Sequence, residues 1–356
     1  MPGDLGPQDI DDIALNCFES PLHRGKYTDI SFTRQNNMVR RFMKKGKLPE
    51  KSGPNCTFRA MTSFASTSRV TGMYAQDRRG RKTMTKKGSV KWCKIDAEGE
   101  YDIDDETFQT GDNVEIINFF RMLRHGVYSD INIKKEELMF NMPQSAEETP
   151  WPITGLPYWF PLDTTYDGDD GVFRGMNPAG HSATGGLDRT TIPGWRSFTF
   201  GFDDCGWKFF EQIRNAFFFT HFENPDEKWK DEANFGTNRE WFMCSTLSVK
   251  NEAANTLRTG NQNFGTDVTN FGNVLINNKG LEASAYLTEN SENDDLYAVN
   301  TRFTGWYGQK GGSMRESKPT VIPGASDMRM FRLADWSQMI CENSREGGFR
   351  AGRRTS

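Results

Sequence analysis

Long apolar runs are what this chain most clearly lacks. Hydrophobic residues make up 35% of its 356 residues, and the mean hydropathy is −0.72. No stretch approaches the roughly 20 apolar residues that a membrane-spanning helix needs. The first 20 residues also lack the basic-then-apolar order of a signal peptide. We therefore expect no membrane partner. We also expect a body whose surface is large relative to its hydrophobic core.

Cysteine and histidine are few and scattered. The six cysteines form no C-x-x-C pair, which favours reduced thiols over a disulfide framework or a zinc site. None of the four histidines lies at metal-ligand spacing from another histidine or a cysteine. The acidic cluster at 167–170 lacks the glutamate that completes a calcium loop. No metal and no other cofactor is expected.

Catalytic motifs are missing as well. The chain contains no G-x-x-x-x-G-K-[ST] phosphate loop. Residues 180–185 (GHSATG) come near the nucleophile elbow G-x-S-x-G, but the second glycine stands one residue too late. We therefore expect a protein that is not an enzyme.

What the chain does have is charge segregated along its length. Residues 1–23 hold five acids and no Lys or Arg, and residues 24–94 hold 19 basic and 3 acidic residues. The remainder holds 25 basic and 40 acidic residues, so the net charge is only −4. Such segregation serves nucleic-acid binding, or self-association of a basic arm with an acidic body. Solvated faces without a partner are the third interpretation.

Residues 151–199, called the connector below, show no sustained helical or strand period. A structureless run of this length is unusual in a compact domain, yet a disordered linker would be poor in aromatics. We therefore expect the connector to be ordered by contact with neighbouring parts of the fold or with other chains. Its candidate anchors are Trp151, Tyr158, Trp159 and Trp195.

The remaining patterns predict an α+β protein with short strands and few helices. The basic C-terminal residues 346–356 are expected to be loose. Helices are predicted at 33–47, at 112–142 as one helix or two joined near Gly126, at 204–222 and at 249–258. Further strands are predicted at 239–247, 273–287, 295–306 and 328–340.

A long two-stranded hairpin is predicted from strands at 57–66 and 89–103. Isolated hairpins are marginal in water, so this one is expected to pack on another chain. The candidate contact residues at its tip are Arg78, Arg79, Arg81, Lys82, Lys86 and Lys87. Phosphate contact would show a steep salt dependence. Aromatic interleaving, which marks single-strand binding, is weak in this segment, so protein contact is favoured over nucleic acid.

Three motifs of the connector carry a resemblance to a known family. They are GLPYW at 155–159, NPAG at 177–180 and PGWRS at 193–197. With the order of elements around them, and with YAVN at 297–300 and MFRL at 330–333, they resemble major capsid proteins of tailed double-stranded DNA bacteriophages. The similarity covers roughly residues 33–341.

The resemblance implies the Hong Kong-97-type coat fold, an α+β wedge. The parts it implies are an N-terminal arm and leading strand at 1–67, the E-loop hairpin at 68–103, a peripheral domain with the spine helix at 104–150, the connector at 151–199, an axial domain at 200–326, and at 327–356 the return to the peripheral domain with a C-terminal tail.

The resemblance also implies self-assembly into hexamers and pentamers of an icosahedral head that encloses double-stranded DNA. Other partners implied are scaffolding, portal and decoration proteins, with DNA on the inner face and assembly in the host bacterial cytoplasm. Because the arm is short, we expect no proteolytic trimming. The acidic residues that could form salt bridges with the basic hairpin are Asp167, Asp169 and Asp170. The alternatives are another virion protein of the tail or portal region, and a nucleic-acid-binding protein using residues 24–94.

Overall fold

The computed structural model describes residues 38–43, 48–62, 84–102, 113–162, 172–220, 241–264, 281–290, 294–322 and 328–354. Within them the predicted α+β class is confirmed. The strands are β1 (Glu50–Lys51), β2 (Asn55–Met61), β3 (Thr85–Lys91), β4 (Cys93–Asp102), β5 (Val172–Gly175), β6 (Ser197–Phe202), β7 (Trp241–Ser245), β8 (Leu281–Ala283), β9 (Leu296–Asn300), β10 (Thr304–Gln309), β11 (Arg315–Glu316), β12 (Thr320–Val321), β13 (Met328–Cys341) and β14 (Gly348–Arg353). The helices are α1 (Asn113–Met139), α2 (Leu156–Trp159), α3 (Trp207–Phe219), α4 (Leu247–Phe264) and α5 (Ala285–Asn290), with 3₁₀ turns at Val39–Phe42 and Pro193–Trp195.

The first sheet is built on β13, the strand predicted at 328–340. β4 runs antiparallel to it, from Cys93 opposite Ser337 to Asp102 opposite Met328. β10, β11 and β12 pair with successive stretches of β13, and β1 extends the sheet beyond β10. The sequence of β4 alternates buried and exposed side chains, as a strand with one covered face requires.

Helix α1 covers this sheet and confirms the long helix predicted at 112–142. It is one helix of 27 residues that continues through Gly126, where a break was considered. A Cβ added at Gly126 would meet nothing within 4 Å, so this glycine lies on an open side. Val127 and Ile131 are buried in the core that α1 shares with the sheet. The helix ends before Pro143, because a proline cannot continue a helix.

The second sheet has the order β5-β6-β14-β9-β7-β8 and corrects the prediction of a loose C-terminal tail. β14 lies between β6 and β9, and Phe349 and Ala351 are fully buried. The sequence looked loose because basic residues and glycines dominate it. In the fold, Arg350 forms an ion pair with Asp295 at 2.8 Å, which lets a basic strand lie inside a sheet.

The hairpin predicted around residues 55–103 is present at its base. β2 and β3 pair antiparallel from Asn55 opposite Lys91 to Met61 opposite Thr85. The second arm, however, is not one continuous hairpin strand, because Trp92 separates β3 from β4 and β4 pairs with β13 instead. The tip at 63–83 lies outside the described residues.

Several predicted elements differ in extent. The strand predicted at 295–306 is two strands in different sheets, because residues 301–303 form a turn between β9 and β10. In the segment 273–287, β8 is followed by α5, and residues 273–280 lie outside the described part. Of the helix predicted at 33–47, only residues 38–43 are described, and they form one 3₁₀ turn. The division into arm, hairpin, peripheral and axial parts stays a prediction.

Candidate assembly surface

Backbone hydrogen bonds hold the base of the hairpin on the connector. The amide of Ser89 in β3 donates to the carbonyl of Gly185 at 2.9 Å. The amide of Gly185 donates to the Tyr158 hydroxyl at 2.9 Å, and that hydroxyl donates to the carbonyl of Ala183 at 3.4 Å. Gly185 has φ +60°, a left-handed conformation that glycine adopts without strain. The glycine-rich run at 180–185 is thus a turn that receives the hairpin.

A cluster of rings completes this attachment. Phe58 of β2 stacks on Trp195 with centroids 5.6 Å apart and meets Trp159 edge-on at 6.0 Å. The Trp159 indole donates to the carbonyl of Thr154 at 3.0 Å, and the Trp195 indole donates to the carbonyl of Thr184 at 3.3 Å. Ring contacts with satisfied N–H groups fix the direction in which the hairpin leaves the body.

The four candidate anchors therefore fall into two groups. Tyr158, Trp159 and Trp195 are buried and anchor the connector on its own fold. Trp151 is half-buried; it lies edge-on to His181 at 6.1 Å, and the Lys91 ammonium lies 5.1 Å from its ring centroid. Among these four, Trp151 alone keeps substantial surface for contact with another chain.

The hairpin base carries unneutralised positive charge. Lys86 and Lys87 in β3 are exposed, and Arg59 of β2 is exposed directly opposite Lys87. Like charges at opposite positions of a strand pair are destabilising. Within the described residues none of these three forms an ion pair. The other tip candidates (Arg78, Arg79, Arg81, Lys82) and the candidate acidic partners (Asp167, Asp169, Asp170) lie outside the described residues.

A fully buried guanidinium, missed by the sequence analysis, locks the connector to the C-terminal part of the chain. Arg189 has no carboxylate partner among the described residues, and burial lowers its pKa to about 9. Its two terminal nitrogens donate to the carbonyls of Trp159, Gly175 and Met176 and to the hydroxyls of Ser197 and Ser344, at 2.6–3.3 Å. No motif marks this arginine in the sequence, because its acceptors come from four separate segments.

A buried ion pair joins α1 to the first sheet. The Lys135 ammonium lies 2.8 Å from the Asp335 carboxylate of β13, and both side chains have no exposed surface. Asp335 also accepts from the Ser313 hydroxyl at 2.8 Å and the Met314 amide at 2.9 Å. Burial acts to raise the pKa of Asp335, but Lys135 and the hydrogen bonds outweigh it and lower the pKa.

Helix α3 carries exposed aromatic side chains at its two ends, and one of them, Phe219, also stacks on the buried Phe198 of β6 with centroids 5.9 Å apart. Trp207 is 49% exposed, Phe218 75% and Phe219 47%. The inner side packs Phe209 and Ile213 into the core of the second sheet. Aromatic residues are enriched in protein interfaces, so these exposed rings are candidates for contact with another chain. We name Trp207, Phe218 and Phe219 the α3 aromatic face.

The described residues contain no group of three or more His, Cys, Asp or Glu placed to hold a metal ion. The five described cysteines are buried thiols. Burial raises the pKa of the Cys56 and Cys341 thiols to about 12, which keeps them neutral. In the described part of the chain, no helix is long and apolar enough to cross a membrane.

Comparisons with known proteins place this fold. No family model matches the sequence, and no curated protein matches it. A chain of the cyanophage A-1(L) capsid asymmetric unit matches with a TM-score of 0.58 at 14% identity, covering 91% of this chain and 94% of that one. A chain from the capsid of an empty GTA particle matches at 0.53 and 6% identity, covering 93% and 100%. A chain of Mycobacterium phage Bobi matches at 0.52 and 8% identity, covering 99% and 100%.

The chain has the Hong Kong-97-type coat fold of tailed phages. The match runs along nearly the full length of both chains. The fold implied by GLPYW at 155–159 and its companion motifs is thereby confirmed.

Proposed function

We propose that this chain is a major capsid protein that self-assembles into the hexamers and pentamers of an icosahedral phage head around double-stranded DNA. The observation that carries the proposal is the coat fold, shared with a cyanophage capsid chain over 91% of this chain. Further copies of the chain are its principal partner. Scaffolding, portal and decoration proteins, and DNA on the inner face, complete the proposed assembly in the host cytoplasm. No enzymatic step is proposed.

Two exposed features support self-association. The hairpin base carries Arg59 opposite Lys87 without an acidic partner among the described residues, and a backbone hydrogen bond attaches it to the connector. The α3 aromatic face leaves apolar surface in water that a second copy would cover. Since many weak contacts add up in a closed lattice, neither surface needs to be large.

Reversing the charge of the hairpin tip is expected to block shell assembly. In the variant Arg78→Glu, Arg79→Glu, Arg81→Glu and Lys82→Glu, repulsion replaces attraction at the acidic surface of the neighbour. Electron microscopy should show no closed shells, while circular dichroism shows a folded subunit. The matched control conserves charge (Arg78→Lys, Arg79→Lys, Arg81→Lys, Lys82→Arg) and should assemble. Normal shells from the reversed variant would contradict the role of the tip.

Polar substitution of the α3 aromatic face is expected to reduce assembly without unfolding the subunit. Trp207→Ser with Phe218→Ser removes one side chain that is half exposed and one that is 75% exposed, so the free energy of unfolding should change by less than about 2 kcal/mol. Shell yield, measured by sedimentation, should fall at least about tenfold. Leu247→Ser, at a residue that is 51% exposed outside this face, is the control and should keep its yield. Full yield from the double variant would remove this face from the proposed interface.

A further inference from the structure

The earliest described contact of the chain with α1 is a carboxylate that holds two backbone amides. Glu136 accepts from the amide of Met38 at 2.7 Å through one oxygen and from the amide of Val39 at 3.0 Å through the other. Glu136 is 2% exposed, Met38 1% and Val39 not at all. Since the two amides lie directly on the carboxyl group, the segment itself supplies part of the cover that keeps water away.

The same segment is fixed by its apolar side chains. Phe42 meets Phe242 of the second sheet edge-on at 5.7 Å and Trp306 of the first sheet at 6.5 Å. Residues 38–42 therefore bridge α1 and both sheets. This segment is the described point at which the N-terminal part of the chain joins the body.

We propose that Glu136 is a proton-linked clasp, in which docking of residues 38–42 on α1 is coupled to uptake of a proton by its carboxyl group. The proposal concerns the single chain and goes beyond a role in building shells. The clasp consists of Glu136 and the amides of Met38 and Val39.

The main influence on the pKa of Glu136 is burial, and not the described charges around it. The neighbours on α1 are engaged elsewhere, Lys135 with Asp335 and Glu137 with Lys134. The docked turn includes Arg40 and Arg41, and among the described side chains no charged group contributes to the pKa shift of Glu136. Burial raises this pKa from its ordinary 4.5 to about 7, although the amides of Val39 and Met38 act to lower it.

The direction of the coupling follows from the two states. When the segment leaves and water reaches the carboxyl group, its pKa returns toward 4.5, so the docked state holds more protons between pH 4.5 and 7. Docking is then strongest below pH 4.5 and loses this contribution as the pH rises through 7. Within that window the docking equilibrium changes by up to about tenfold per pH unit.

Hydrogen exchange of the Met38 and Val39 amides in the full-length protein tests the clasp. After correction for the intrinsic exchange rate, protection at pH 5.5 should exceed protection at pH 8 by at least about tenfold. Glu136→Gln should show less than about a twofold difference, because the amide group does not titrate. Glu137→Gln, which removes the adjacent half-buried carboxylate, should keep the wild-type dependence.

Equal protection at both pH values, greater protection at pH 8, or a wild-type dependence in Glu136→Gln would overturn the proposal. If Glu136→Gln does not fold, the carboxyl carbon of Glu136 in the wild-type protein can be titrated by NMR; a midpoint near 4.5 instead of near 7 would overturn it equally. Electron microscopy of the same samples reports on shells independently, so failure of the clasp and failure of the coat function are distinguishable.

Discussion

Arg189→Met is expected to lower the free energy of unfolding by about 3–5 kcal/mol. The substitution removes the donor from five acceptors, four of them in buried contacts, among them the carbonyl of Trp159 and the hydroxyl of Ser344. A buried acceptor left without a partner loses its hydration without compensation, and the removal of a buried charge offsets only part of that loss. Urea denaturation of the unassembled subunit, followed by tryptophan fluorescence, measures the change.

Two further variants define what Arg189 does. Arg189→Lys keeps the charge but offers a single nitrogen, so it should recover less than half of the lost stability. Arg214→Met, at an exposed arginine of α3, is the control and should cost under about 0.5 kcal/mol. A loss below about 1 kcal/mol in Arg189→Met would show that the connector is held mainly by its rings.

Lys135→Met is expected to cost about 3–5 kcal/mol at pH 7, because it leaves the carboxylate of Asp335 buried without its cation. The cost should depend on pH in a defined direction. Without Lys135, burial is free to raise the pKa of Asp335, so acid protonates the group and removes the penalty. Denaturation of the variant at pH 4 should therefore show a much smaller loss than at pH 7.

The matched control removes both charges of this pair. Asparagine at 335 retains an oxygen for the Ser313 hydroxyl and the Met314 amide, so Lys135→Met with Asp335→Asn should be more stable at pH 7 than Lys135→Met alone. It should also lose the pH dependence. If the double variant is no more stable than the single one, the methionine disturbs packing and the unpaired charge is not the cause.

The sequence was sufficient where one local pattern decides the structure. The apolar pattern of residues 112–142 predicted α1, and the pattern of residues 328–340 predicted β13. The GLPYW motif at 155–159 led to the coat fold through its resemblance to known coat proteins, and in the structure its Tyr158 and Trp159 are buried at the base of the hairpin.

The sequence was insufficient where distant segments decide the structure. The tail residues 348–353 read as loose, and only the neighbouring strands β6 and β9 make them a buried strand. Arg189 looked like any surface arginine, because nothing local shows that a pocket of carbonyls surrounds it. The strand predicted at 295–306 is divided between two sheets by the turn at 301–303. The alternation of apolar residues in the sequence does not indicate such a turn.

Electron microscopy of the purified chain after overexpression tests the central claim most directly. The proposed function predicts closed shells made of hexamers and pentamers, each subunit carrying the coat fold with its hairpin against the next copy. Tubes or rings would indicate another virion component. A monomer that binds nucleic acid with steep salt dependence would indicate a nucleic-acid-binding protein that uses residues 24–94. Either of these results would contradict the assignment as a major capsid protein.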